Sequence, residues 1–173
     1  LTSGVLHALP QAELLDFLNI CLPQLEQKSA SSEKMTGFMV NAPQGINLWQ
    51  LIENKYQTLI DHFWLNVQPP YFQSNKEHLL FCIEKLLAAG RPQTAMDAMG
   101  DRSGDLPSEL LILILKGIAA GQEENAKFPR SWNISRVFKT LADAGYNPSE
   151  MVSLEFTYYP LLKRDEYGAP YLM

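Results

Sequence analysis

Cysteine is scarce in this 173-residue chain: only Cys21 and Cys82 are present. Two distant thiols make no disulfide framework, so a reducing compartment, the cytoplasm, is expected. Long apolar runs are missing as well. None approaches the roughly 20 residues that cross a bilayer, which removes a membrane-spanning role. Leu1 to Pro10 lacks the basic stretch and apolar segment of a signal peptide. There are three histidines, with no HExxH and no CxxC, so zinc is not expected. A Gly-rich loop ending in Lys-Ser/Thr, a G-x-G-x-x-G and a nucleophile elbow are all absent. No cofactor is expected. Charge is limited too, at 19% of residues with a net −5, too little for a solvated acidic tail. The 46% of hydrophobic residues is too high for a disordered segment. A chain of this length buries roughly 70% of its unfolded surface, enough for one core or two small ones.

Helix punctuation is abundant. Ser74-Asn75-Lys76-Glu77 fits a capping box, in which Ser74 accepts from the Glu77 amide. Leu79, Leu80, Ile83, Leu86 and Leu87 follow at helical spacing, and Gly90 suits the left-handed position past the end. Pro92 opens the next helix, through Met99. Pro107-Ser108-Glu109 then opens a run from Leu110 to Leu115 that closes at Ala119-Ala120-Gly121. Ile134, Val137, Phe138 and Leu141 mark another helix, ended by Ala144-Gly145. Asn147-Pro148-Ser149-Glu150 starts a last one, which Pro160 is expected to kink or end.

The first third is less regular. A helix from Pro10 to Cys21 is expected to stop before Pro23, with residues 27–33 as a polar loop and residues 41–45 as a turn. Asn47 is expected to cap a long helix reaching Phe63. No strand alternation is found, so the chain is read as all-α. Leu-Leu-Ala-Ala-Gly at 86–90, Gly-Ile-Ala-Ala-Gly at 117–121 and Leu-Ala-Asp-Ala-Gly at 141–145 end successive helices at unequal intervals. They point to an irregular helix–turn–helix array, α-solenoid-like, with an orthogonal helical bundle as the alternative. Residues 1–66 read as an N-terminal helical segment and 67–173 as a helical-repeat-like region, together one continuous domain. The apolar end at Tyr171-Leu172-Met173 reads as a cut through a larger protein.

Residues 86–96, Leu-Leu-Ala-Ala-Gly-Arg-Pro-Gln-Thr-Ala-Met, resemble the turn of tetratricopeptide and pentatricopeptide repeats. On Leu86 to Pro92, Pro148-Ser149-Glu150-Met151, Leu154-Glu155-Phe156 and Tyr167-Gly168-Ala169-Pro170, residues 63–170 resemble a helical region of large uncharacterised bacterial proteins. That resemblance implies a module beside other domains and defines no catalytic residues.

Four constellations carry chemical interest. His78 and Cys82 share a helix face, and an imidazole beside a thiol can generate a thiolate nucleophile. Core packing of Cys82 in its apolar run is the favoured reading. Asp61 and His62 are consecutive, about 100° apart on a helix, so neither orients the other; His62 is placed at the edge of the core. Lys127, Arg130, Trp132, Arg136 and Lys139 combine charge with an aromatic ring in a stretch free of acids, as a single-stranded nucleic-acid site would. The acidic balance of the chain opposes that use. Phe156, Tyr158, Tyr159, Tyr167 and Tyr171 form an aromatic group suited to packing against the next helix of the parent chain or, through the four tyrosines, to a partner surface. The expectation is a non-enzymatic helical interaction or scaffold module of a larger bacterial protein. Its contacts would be with other domains of the parent chain or with a protein partner. A nucleic-acid-contacting domain is the alternative.

Overall fold

The computed structural model describes residues 6, 9–70, 75–123 and 131–162, with side chains left aside at 11–12, 131–132 and 159–162. The described residues form nine α-helices and two 3-10 turns, with no strand. The chain divides into two compact units, residues 1–70 and 71–173. Each has its own core.

The first unit holds α1 (Gln11–Gln27), α2 (Ser32–Val40), α3 (Ile46–Lys55) and α4 (Ile60–Asn66), with a 3-10 turn at Gln57–Leu59 before α4. Helix α1 runs through Pro23 rather than stopping before it. Ser29 then takes the left-handed position, φ 54°, that glycine usually fills. The stretch expected as a loop is therefore shorter. Ser31 already caps α2 by accepting from the Lys34 amide at 3.4 Å. Gln44 organises the following turn. Its Nε2 donates to the carbonyls of Met39, Val40 and Ala42, while its Oε1 accepts from Trp49 Nε1 at 3.1 Å. Helix α3 starts after Gly45, so Asn47 lies inside it, and Tyr56 breaks the long helix expected up to Phe63. Trp49 and Trp64 anchor the core with Phe63, Leu48, Ile52 and Met39.

The second unit holds α5 (Lys76–Ala88), α6 (Pro92–Met99), α7 (Ser108–Ala119), α8 (Ser131–Asp143) and α9 (Pro148–Leu162), with a 3-10 turn at Ser103–Asp105. Asn75 caps α5, accepting from the amides of Glu77 at 2.8 Å and His78 at 3.3 Å. The expected cap, Ser74, lies outside the described residues. All three Ala-Gly endings close in the same way. Gly90, Gly121 and Gly145 are left-handed, with φ of 69°, 64° and 74°, and the amide after each returns to a carbonyl five residues earlier. Pro160 does not end α9, whose backbone continues to Leu162.

Each helix of this unit packs on the next, and α5 meets α7 as α7 meets α9. Gly117 permits one close approach. A Cβ there would lie 2.9 Å from the Pro92 ring, so α7 sits directly on the start of α6. Helices α7 and α9 run in the same direction. Tyr146, just before α9, feels the charge of Glu109 at the start of α7. Further along, the Tyr158 hydroxyl donates to the Leu115 carbonyl.

Candidate functional surface

Polar side chains converge most tightly at the turn between α5 and α6. Glu123, just past α7, sends its carboxylate to the first turn of α6. Oε2 accepts from the Thr94 amide at 2.9 Å and Oε1 from the Thr94 hydroxyl at 2.5 Å. Arg91 donates from Nε to Glu123 Oε1 at 3.3 Å and from Nη2 to Thr94 Oγ1 at 2.9 Å. The carboxylate thus does for α6 what an N-cap does, from a residue remote in sequence, and Arg91 balances its charge. Both carboxylate oxygens are engaged, so the cluster is a structural clamp. A second set of contacts ties the turn after α6 to α8. The Ser103 and Thr140 hydroxyls are 2.6 Å apart, and Arg136 Nη1 reaches the Asp101 carbonyl at 3.2 Å and its carboxylate at 3.6 Å.

Cys82 is fully buried, and that burial pushes its thiol up to about 12, with the Arg91 charge pulling weakly the other way. At neutral pH it is a protonated core side chain, and His78 on the same face does not make it a nucleophile. Alkylation of the folded chain with iodoacetamide is therefore expected to label Cys21, which is partly exposed, and to reach Cys82 only on unfolding. Labelling of Cys82 in the native chain at the rate of a free thiol would contradict this. Asp61 and His62 are both exposed on α4, so His62 sits further out than the core edge.

Of the basic stretch, Lys127 and Arg130 lie outside the described residues, as does the Trp132 side chain. Arg136 is held by Asp101, which cancels part of the positive field, and Lys139 is exposed. The tyrosine group divides similarly. Tyr167 and Tyr171 lie outside the described residues, as does the Tyr159 side chain. Tyr158 is wholly buried: its ring meets Phe138 edge-on at 6.1 Å, its hydroxyl is bonded to α7, and burial raises its phenol above the ordinary range. It belongs to the interior of the unit and cannot form a partner surface.

The open surface of α9 is carried by other residues. Leu154 and Tyr158 face α7 and α8. Val152 and Phe156 precede them by two residues, about 200° of helical turn, and so point the opposite way. They are 45% and 75% exposed. Helix α9 thus carries large apolar side chains on both sides. On the same open face lie Ser149, Ser153 and Thr157, all exposed and uncharged. The other helices of the unit differ: α5 exposes Lys76, Glu77 and Glu84, α7 exposes Glu109 and Lys116 around Leu113, and α8 exposes Arg136, Lys139 and Asp143. Glu150 stands on the flank of α9, where its carboxylate accepts from the Tyr146 hydroxyl at 2.5 Å.

Among the described residues there is no group of three or more His, Cys, Asp or Glu able to hold a metal ion, and no helix is long and apolar enough to cross a membrane. Comparison of the chain with family models, curated proteins and solved structures finds no match.

Proposed function

We propose that the chain is a non-catalytic helical interaction module of a larger cytoplasmic bacterial protein. It docks other domains of that protein, or a protein partner, on the open face of α9. The observation that carries the reading is the pair Val152 and Phe156, exposed on the far side of a helix already buried through Leu154 and Tyr158. A helix apolar on both sides belongs between two layers, and the end of a helical stack needs a polar outer face if nothing covers it. The succession of left-handed glycine endings and of contacts between alternate helices supports a repeat-like array in the second unit. A non-enzymatic role is supported by Cys82, a buried thiol, and by the tightest polar cluster, in which Glu123 is consumed as a cap.

The test is site-specific photocrosslinking in the cell of origin, with a benzophenone side chain at position 156 and, as a control, at exposed Glu84 on α5. A discrete adduct from position 156 that position 84 does not give is expected. Equal patterns from both positions would overturn the reading.

A further inference from the structure

A carboxylate lies in the buried side of α9 without a partner. Glu155 is 8% exposed. It follows Leu154 by one residue and precedes Tyr158 by three, so it shares the face that α9 turns to α7 and α8. Among the described residues its carboxylate takes part in no hydrogen bond and no ion pair. The charged groups of the surrounding elements are engaged elsewhere or turned outward. On α7, Glu109 acts on Tyr146 and Lys116 is exposed. On α8, Arg136 reaches Asp101, while Lys139 and Asp143 are exposed. On α9 itself, Glu150 accepts from Tyr146. Glu123 shows the contrast, a half-hidden carboxylate matched by Arg91 and Thr94. Glu155 has lost water and gained nothing, and this holds its carboxyl above the ordinary 4.5. An ionised carboxylate buried without a donor or cation weakens whatever buries it, whereas its neutral acid costs far less. We propose that Glu155 is a proton-operated latch on α9: protonated, it lets the helix seat on α7 and α8, and ionised, it loosens that seat.

The pH dependence runs opposite to that of a salt-bridged acid. The unfolded chain releases this proton near 4.5, and the folded chain only at a higher pH. Between the two values the folded state binds more protons. Rising pH therefore takes stability from the second unit, and the loss is complete above the folded value. The latch is independent of what covers the open face of α9.

Urea unfolding of the full chain from about pH 4.5 to about pH 8 tests it against Glu155→Gln, which keeps the shape of the neutral acid. The variant's midpoint is expected above the parent's at the alkaline end, with the gap closing toward the acid end. Glu84→Gln, at an exposed site on α5, is expected to show no such gap. Hydrogen exchange at the alkaline end locates the effect. In the parent, the amides of α9 are expected to be less protected than those of α5, and Glu155→Gln to raise their protection several-fold. An NMR titration of the Glu155 carboxyl in the parent needs no variant, and its midpoint is expected above 4.5. A midpoint at or below that value, a stability gap that is absent or constant with pH, or equal protection of α9 and α5 in the parent overturns the proposal.

Discussion

Replacing Glu123 by alanine is expected to destabilise the second unit by about 3 kcal/mol, at the low end of the range for breaking a buried charged pair. The residue makes three bonds at once, to the Thr94 amide, the Thr94 hydroxyl and Arg91. Alanine leaves the first turn of α6 without its acceptor, and cap loss alone costs about 1 kcal/mol. The remainder comes from Arg91, whose side chain is 8% exposed and would lose its carboxylate partner at 3.3 Å. Arg91 keeps other contacts, which holds the loss to the lower end. Glu123→Gln should cost less, because the amide oxygen can still accept from Thr94. The measurement is urea unfolding of both variants, together with Thr94→Val and the double variant. Strong non-additivity between positions 94 and 123 is expected, since they act as one clamp. Additive losses, or an alanine effect below about 0.5 kcal/mol as at an ordinary surface site, would show that the clamp is not structural.

That clamp was invisible in the sequence. Glu123 lies about thirty positions from Thr94, in a stretch with no motif, and only the packing of α7 on α6 brings it to the helix start. Punctuation written within a few residues was legible. Gly90, Gly121 and Gly145 end helices as expected, because a left-handed residue after an apolar run has few alternatives. The same ending at Ser29 has no comparable signal in the sequence, because serine rarely marks it, and Pro23 predicts an earlier end for α1 than the structure has. Proline misleads at Pro23, where a stop is expected, while Pro160, expected to kink or end α9, does not end it. At Pro23 and Pro160 the helix continues, so the local cost of the ring is outweighed by the rest of the helix. The α9 surface shows a different limit. The aromatic group near the end of the chain, with tyrosine chemistry, points to Tyr158 as an interface residue, while the two-residue step of the helix buries Tyr158 and exposes Phe156. The residue type suggested an interface. The helical phase decided which residue faces it.

In the first unit the largest effect is expected at Trp64. Its indole is 2% exposed, meets Phe63 edge-on at 5.3 Å and Trp49 at 5.7 Å, and donates from Nε1 to Glu53 at 2.8 Å. Trp64→Ala removes the packing and opens a cavity between α3 and α4, at a cost of about 3–5 kcal/mol. It also takes away a hydrogen-bond partner of Glu53. A unit of this size has few kcal/mol to lose, so partial unfolding of the first unit at room temperature is expected. Trp64→Phe keeps most of the ring and should cost clearly less, the difference measuring the filled volume. In a Trp132→Phe background the remaining indoles lie in the first unit, so fluorescence reports that unit, while far-ultraviolet circular dichroism reports both. In Trp64→Ala the fluorescence transition should therefore move to lower urea and separate from the later part of the dichroism curve. In Glu123→Ala the order should reverse, with the fluorescence transition left in place. If both variants instead shift a single common transition, the two cores unfold as one, and the division at residue 70 marks a boundary in packing but not in stability.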